Sequence, residues 1–198
     1  MAAVSRLVIE HQANTGEEPA MGPVGDEGHT IAAQMSQAIT EHPAVGGIDA
    51  VARILAQASQ VSLNTTGGGY MAYVPGGGLF PAAMADLVAG TYNRFTGLAG
   101  AAPAFVRFED DVLRWLAAEF GYGDDARGVF TSGGSQANLS ALITARHMRF
   151  GDSGDYRRAT VYTSAQAHHS IAKSIRLAGV PSTAMREISV DGQLRMCP

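Results

Sequence analysis

Two glycines flanked by serines stand between a short apolar segment and a helical pattern in residues 128–146, GVFTSGGSQANLSALITAR. Gly133 and Gly134 can take positive φ angles and bring backbone N–H groups close to a ligand. A helix that begins near Ser135 adds unpaired N–H donors, the positive end of its dipole and a hydroxyl at the same rim. This order of elements predicts a pocket for an anion, with phosphate as the favoured ligand.

The same pattern also has a simpler interpretation. Glycine pairs often form tight turns, and serine is a preferred N-cap, so Ser135 can stabilise the helix by about 1 kcal/mol without any ligand. The two roles are compatible. The segment lacks the lysine of a P-loop and does not fit GxGxxG, which disfavours nucleoside triphosphate hydrolysis and dinucleotide binding.

A second loop with reactive side chains follows the next predicted strand, in residues 163–180, TSAQAHHSIAKSIRLAGV. His168 stands at the exit of that strand, so this loop and the glycine-serine loop can meet over one ligand. On residue type alone, His168 is interpreted as an ordinary hydrogen-bonded histidine. Adjacent side chains of an extended strand end point to opposite sides, so His168 and His169 are poorly placed to bind one metal, and we predict no metal site.

Strands and helices alternate around the two loops. We predict a short strand from Gly128, strands over 159–164 and 185–190, and helices over 136–150 and 169–178. This order is typical of βαβ crossovers and indicates an α/β fold with a parallel sheet.

The upstream half of the chain is predicted to be mostly helical. Residues 1–29 are rich in glycine and proline and predict a flexible lead, followed by helices over 30–41, 48–60 and 81–95. Two glycine triplets bracket the segment 70–75, either as a binding loop or as a mobile surface loop. A further helix runs from Pro103, and its apolar stripe is predicted to be core: Phe108, Val112, Trp115, Leu116 and Phe120.

Composition limits the class of protein. The chain has 198 residues with 46% hydrophobic content, within the range of one folded domain. A net charge of −4 and scattered arginines argue against a nucleic-acid partner. Cys197 is the only cysteine, and no leader or apolar run of about 20 residues is present. We therefore expect a soluble cytoplasmic protein without a disulfide or a membrane anchor.

An ordered set of motifs carries a family resemblance. Residues 70–90, YMAYVPGGGLFPAAMADLVAG, and 102–122, APAFVRFEDDVLRWLAAEFGY, precede the two loops. Together they closely resemble the pyridoxal-phosphate-dependent decarboxylases of group II, the aromatic amino acid and glutamate decarboxylase group. The match runs from about Ile48 to the end of the chain.

The resemblance implies a fold and a domain organisation. The fold is α/β, the start of the large cofactor-binding domain of the aspartate-aminotransferase-like fold (fold type I), preceded by an N-terminal helical segment. The expected divisions are a lead over 1–29, the helical segment over 30–66 and a partial cofactor domain over 67–198.

The resemblance also implies roles for individual residues. Gly134 and Ser135 would hold the phosphate of pyridoxal 5′-phosphate, helped by the backbone N–H of Gln136. His168 would stack on the pyridine ring and reach a substrate carboxylate or donate a proton. The residues expected at the amino-acid substrate are Tyr73, Val74, Pro75, Gly76 and Phe95, the last from the neighbouring subunit of a homodimer.

Two departures from the family pattern leave roles open. The glycines at 76–78 replace a position where several members carry a hydroxyl, so the identity of the amino acid stays open. His169 replaces a small residue, and nothing in the sequence explains it. The acidic run at Glu109 is interpreted as a helix-surface feature that complements the dipole rather than as catalytic carboxylates.

The chain contains a single lysine, Lys173, five residues after His168. The family's Schiff-base lysine belongs further downstream, after another histidine, so Lys173 is interpreted as a solvated helix residue. The resemblance thus implies the N-terminal portion of a carboxy-lyase that does not decarboxylate efficiently alone. The alternatives are a non-enzymatic domain that binds sugar-phosphate-type ligands, or a defective remnant that depends on a partner chain.

Overall fold

The computed structural model describes residues 2–36, 41–42, 45–74, 76, 78–152 and 154–197. The chain forms two compact units, Met1–Phe95 and Thr96–Pro198. Within the described ranges, no helix is both long and apolar enough to cross a membrane. The divisions at 29/30 and 66/67 stay a prediction.

The first unit is helical. Its helices are α1, Ala2–Asn14; α2, Gly25–Met35; α3, Gly47–Gln60; and α4, Phe80–Tyr92. Both α1 and α2 pack against α3, where Ala52 is buried. The predictions over 48–60 and 81–95 are confirmed as helices, and the second ends early because Asn93 takes a left-handed conformation, with φ 43°.

The expectation of a flexible lead over residues 1–29 is wrong for much of that stretch. Helix α1 consists mainly of good helix formers, and α2 begins at Gly25, five residues before the predicted start, with Asp26 and Glu27 next to the positive end of its dipole. Residues 37–40, the end of that predicted helix, lie outside the described ranges. Glycine and proline here mark turns between elements rather than a lack of structure.

A close backbone contact joins the α1–α2 connection to the end of α3. The Gly22 N–H donates to the Ser62 carbonyl at 2.9 Å, and the Asn64 N–H donates to the Ala20 carbonyl at 3.0 Å. A Cβ at Gly22 would lie 1.8 Å from the Gln60 carbonyl oxygen. This position therefore requires glycine for space.

We expect Gly22→Ala to lower the free energy of unfolding by about 1–3 kcal/mol, because the added methyl must displace backbone. Urea unfolding followed by circular dichroism measures the change, and faster exchange of the Asn64 amide locates it. Gly16→Ala is the matched control, since a Cβ there meets nothing within 4 Å of the described atoms. Equal effects of the two substitutions would contradict the close-contact explanation.

The second unit contains the sheet. Its elements are α5, Pro103–Glu119; α6, Gly134–Phe150; β1, Val161–Ser164; α7, Ser170–Leu177; and β2, Met185–Ile188. Strands β1 and β2 are parallel, with Val161 opposite Met185, and α6 packs against α7. The fully buried Ile175 lies at the centre of a core formed with Ala159, Ala178, Val180 and Ala184. The predicted strand–helix–strand order over 159–190 and its parallel pairing are confirmed.

The strand predicted from Gly128 is not formed. Residues 126–131 are irregular, and the sheet of the described residues contains β1 and β2 only. A strand exists through its ladder partners, because its N–H and C=O groups are otherwise unpaired. The apolar run in the sequence does not show whether an adjacent strand is present, and the described residues supply none for this segment.

The prediction that the α5 stripe is core is also wrong. Phe108, Trp115 and Phe120 are 63%, 61% and 79% exposed, Val112 is exposed as well, and Leu116 is half-buried. Helical periodicity shows that a face is apolar but not what covers it. The stripe is an apolar surface of this chain.

A turn near the end of the chain is organised by one carboxylate. Asp191 Oδ1 accepts from the backbone N–H groups of Gln193 at 2.8 Å and Arg195 at 2.9 Å, and the Arg195 guanidinium donates to Oδ2 at 2.8 Å. The backbone and side-chain hydrogen bonds from Arg195 hold the pKa of Asp191 below its ordinary value. The turn brings Val190 opposite Met196.

We expect this turn to loosen in acid. Because the folded-state pKa of Asp191 is lowered, its ionised form stabilises the fold above about pH 4, and that contribution disappears as the pH falls through the lower, folded-state value. Amide exchange at Gln193 and Arg195 should accelerate in acid, and Asp191→Asn should show fast exchange already at neutral pH. Exchange in Asp191→Asn that matches the unsubstituted chain at neutral pH would contradict this role.

Candidate functional site

The glycine-serine loop passes directly into α6, but not with the predicted geometry. Gly133 has φ 166° and ψ 166°, extended backbone that any residue adopts, and Gly134 is helical, so the pair does not use the positive φ angles that glycine allows. The helix begins at Gly134, which places Ser135 inside the first turn. Ser135 is therefore not the N-cap, and that prediction is wrong.

The first turn of α6 leaves a small set of donors for a ligand. The N–H groups of Gln136 and Ala137 both donate to the Gly133 carbonyl, at 3.0 and 3.2 Å, so we assign no ligand contact to the Gln136 N–H. The N–H groups of Gly134 and Ser135, and the exposed Ser135 hydroxyl, have no acceptor or donor partner among the residues that the structure describes. Two backbone donors and one hydroxyl thus face outward at the positive end of the helix dipole.

The rim around these donors is open. A Cβ built on Gly133 or Gly134 meets no described atom within 4 Å. The glycines are therefore not required for packing inside this chain, and their lack of side chains leaves room for a ligand to approach the N–H groups.

A hydrogen-bond chain joins α6 to the histidine loop. Asn138 Nδ2 donates to Ser170 Oγ at 2.9 Å, and Ser170 Oγ lies 2.8 Å from His168 Nδ1. The Ser170 backbone N–H also donates to the same Nδ1, at 3.2 Å. Ser170 is 1% exposed, whereas His168 is exposed.

This chain of bonds brings two helix starts together. Asn138 lies about one turn into α6, and Ser170 is the first residue of α7, so the positive ends of both helix dipoles lie at the same edge of the unit. Neither Asn138 nor Ser170 was expected at the site from the sequence. Asn138 could have been recognised from the sequence. It is a polar residue three positions after Ser135, on the helix face that also carries the apolar Leu142.

The two histidines lie against each other rather than on opposite sides. Their ring centroids are 4.1 Å apart with planes at 40°. The expectation of divergent side chains is wrong because His169 has helical backbone angles, φ −54° and ψ −22°, instead of extended ones. In the described ranges no group of three or more His, Cys, Asp or Glu side chains is arranged to hold a metal ion.

Lys173 lies on the exposed side of α7. The buried face of the helix carries Ser170, Ser174 and Ile175, and Lys173 points to solvent from the opposite side. Its environment fits the interpretation of a solvated helix residue.

The residues expected at the substrate belong to the first unit. Tyr73 is 89% exposed and takes φ 59°, a left-handed conformation that is uncommon for a bulky side chain, and Val74 is exposed beside it. Phe95 is 69% exposed, Gly76 is exposed as well, and Pro75 lies outside the described residues. Their contact with a substrate stays a prediction.

The acidic run on α5 forms ion pairs within the helix. Asp111 contacts Arg107 at 3.0 Å and Arg114 at 2.7 Å, and all three side chains are exposed. This arrangement supports the interpretation of a solvated helix surface for the run that begins at Glu109.

Comparisons with known proteins identify the family of the chain. The model of the pyridoxal-dependent decarboxylase conserved domain matches residues 33–198. The aromatic-L-amino-acid decarboxylase of Bacillus atrophaeus is 33% identical over 127 residues, 64% of this chain and 26% of that protein. Human cysteine sulfinic acid decarboxylase is 33% identical over 102 residues, 49% of this chain and 20% of that protein. The chain thus spans about a fifth to a quarter of the length of these relatives.

The fold has a counterpart among solved structures. The crystal structure of mouse CSAD covers 100% of this chain and 42% of its own, with a TM-score of 0.81 at 23% identity. The described elements are those of an N-terminal helical segment followed by the start of the large domain of fold type I. By its match over residues 33–198, the chain belongs to the pyridoxal-dependent decarboxylases, a family whose cofactor is pyridoxal phosphate.

Proposed function

We propose that this chain is the part of an amino-acid decarboxylase that anchors the phosphate of pyridoxal 5′-phosphate and stacks on its ring. The single observation that carries the proposal is the hydrogen-bonded meeting of the α6 and α7 helix starts through Asn138 and Ser170. It supports a common ligand for the glycine-serine loop and for His168.

The first turn of α6 fits a phosphate. The free N–H groups of Gly134 and Ser135 and the Ser135 hydroxyl can donate to phosphate oxygens, and the helix dipole favours the negative charge. The open space beside Gly133 and Gly134 leaves the approach clear. We assign phosphate anchorage to Gly134 and Ser135.

His168 fits the ring. One side of its imidazole packs against His169, which leaves the other face for an aromatic partner. In this proposal His169 supports the His168 ring from behind, a role that the sequence did not suggest. His168 is exposed, so a substrate carboxylate can reach the edge of its ring.

Pyridoxal phosphate, when bound, supplies the electron sink that allows an amino acid to lose its carboxylate as carbon dioxide. His168 would orient that carboxylate and hold a proton beside it. Tyr73, Pro75 and Gly76 would line the substrate side. Phe95 would contact the substrate from the second subunit of a homodimer.

A cytoplasmic location is part of the same proposal. It is supported by the exposed free thiol of Cys197.

The catalytic lysine is not part of this proposal. Lys173 is exposed on the outer side of α7, opposite the buried face that carries Ser170 and Ser174. We propose that the 198-residue chain binds the cofactor without efficient decarboxylation.

We expect Ser135→Ala to weaken pyridoxal phosphate binding by about tenfold, because a hydrogen bond to a charged phosphate is lost. Absorbance titration with pyridoxal phosphate measures the affinity, and titration with pyridoxal separates the phosphate contribution. Ser140→Ala, in the second turn of the same helix, is the control and should leave the affinity unchanged.

Two outcomes would contradict the phosphate assignment. The first is an affinity of Ser135→Ala equal to that of Ser140→Ala. The second is binding of sugar phosphates such as glucose 6-phosphate as tightly as pyridoxal phosphate, which would favour a general phosphate-binding domain.

We expect Lys173→Gln to bind pyridoxal phosphate with unchanged affinity. Borohydride reduction of the stoichiometric complex, followed by peptide mass analysis, should show no predominant adduct on Lys173. A stoichiometric adduct on Lys173 together with release of carbon dioxide from an amino acid would overturn this assignment.

A further inference from the structure

We propose that Asn138 and Ser170 are positioning residues that hold His168 as the tautomer with its proton on Nε2 and set the plane of its ring. The use of this ring against a cofactor rests on the proposed function. The tautomer itself follows from hydrogen bonds within the chain and is tested separately.

The direction of the hydrogen bonds follows from one group that cannot change its role. The Ser170 backbone N–H lies 3.2 Å from His168 Nδ1, and a backbone N–H can only donate. His168 Nδ1 must therefore accept, so it carries no proton. The neutral imidazole then has its proton on Nε2.

The remaining bonds are determined in turn. Because Nδ1 is an acceptor, the Ser170 hydroxyl at 2.8 Å must direct its only proton to Nδ1. Its oxygen can then accept from the Asn138 amide, at 2.9 Å. This direction requires the Asn138 amide nitrogen, rather than its oxygen, to face Ser170.

Burial keeps the chain of bonds in place. Ser170 is 1% exposed, so water does not compete for its hydroxyl, and a buried hydroxyl without partners is unfavourable. Two donors from a single residue, Ser170 N–H and Oγ–H, converge on His168 Nδ1 and restrict rotation of the ring. Asn138 transmits that restriction to α6, the helix that starts at the proposed phosphate site.

The consequence is a donor at a defined place. With Nδ1 engaged, the exposed Nε2–H of His168 is available to an anionic group, such as the carboxylate of an amino acid. The opposite tautomer would present a lone pair there and repel a carboxylate. Asn138 and Ser170 would thereby favour substrates that carry a carboxylate next to the cofactor ring.

The test uses long-range 1H–15N NMR correlations of the full chain without cofactor, at about pH 8.5, where histidines are ordinarily neutral. We expect the unsubstituted chain to show His168 with its proton on Nε2. Asn138→Asp keeps the side-chain shape but can only accept, so it draws the Ser170 hydroxyl proton away from Nδ1. The Ser170 backbone N–H still donates to Nδ1 in this variant and in Ser170→Ala, so the Nε2–H form should remain the major one in both. The minor Nδ1–H fraction should rise several-fold, because the second donor, the Ser170 hydroxyl, no longer reaches Nδ1.

Ser174→Ala is the matched control. Ser174 is 2% exposed on the same helix and lies outside the chain of bonds, so its substitution tests general loosening of α7. We expect the His168 tautomer to remain unchanged in this variant, while Ser170→Thr, which keeps the hydroxyl, should retain the Nε2–H form. A dominant Nδ1–H form in the unsubstituted chain, or equal spectra for Asn138→Asp and Ser174→Ala, would overturn the inference.

A second measurement separates this inference from the proposed function. We expect Ser170→Ala to bind pyridoxal phosphate about threefold to tenfold more weakly, with unchanged affinity for inorganic phosphate, because only the ring contact is altered. If the tautomer behaves as expected but pyridoxal phosphate does not bind to the unsubstituted chain, the proposed function fails and the positioning role stands. If pyridoxal phosphate binds and the tautomer is insensitive to Asn138→Asp, the positioning role fails.

Discussion

The hydrogen bond from Asn138 to Ser170 is the interaction on which the candidate site depends. It crosses from one helix to another at a point where Ser170 is almost fully buried. The same two helices share an apolar core: Leu139 and Leu142 of α6 pack against the buried cluster that contains Ile175 and Ala178. The apolar contacts hold the two helices at a given distance, and the hydrogen bond specifies which residues meet. Polar specificity above an apolar base is a common way to define one arrangement among several that bury similar area.

Much of the second unit could be predicted from sequence because its signals are local. Gly151 and Gly179 follow α6 and α7 with φ 66° and 74°, the left-handed values that let glycine end a helix, and both stops were recognisable. The paired strands could be recognised because they flank a helix in a βαβ pattern. In contrast, α1 has good helix propensity but little periodicity, and the nearby glycines and prolines concealed it. The segment after Gly128 failed as a strand because strand formation depends on a partner far away in the chain.

The candidate residues could be selected from the sequence, but their local geometry could not be predicted. Ser135 and His168 were identified from residue type and their positions between elements. Their hydrogen bonds depend on where helices begin to within one residue: a start at Gly134 moves Ser135 out of the N-cap and engages the Gln136 N–H. The contact between His168 and His169 likewise depends on the backbone angles of a single residue. A sequence pattern leaves helix boundaries uncertain by about one or two residues. Side-chain orientation at a helix start therefore cannot be predicted from it.

The parallel pairing of β1 with β2 has a consequence for the order of folding. The two strands and the helix between them occupy only residues 161–188, so their contacts close short loops and cost little chain entropy. Contacts of low sequence separation form quickly. We expect the β1–α7–β2 segment, which carries His168 and Ser170, to assemble soon after it leaves the ribosome. Helix α6 then docks on it through Asn138. The histidine would then be oriented early in biosynthesis, before any element with more distant partners has found them.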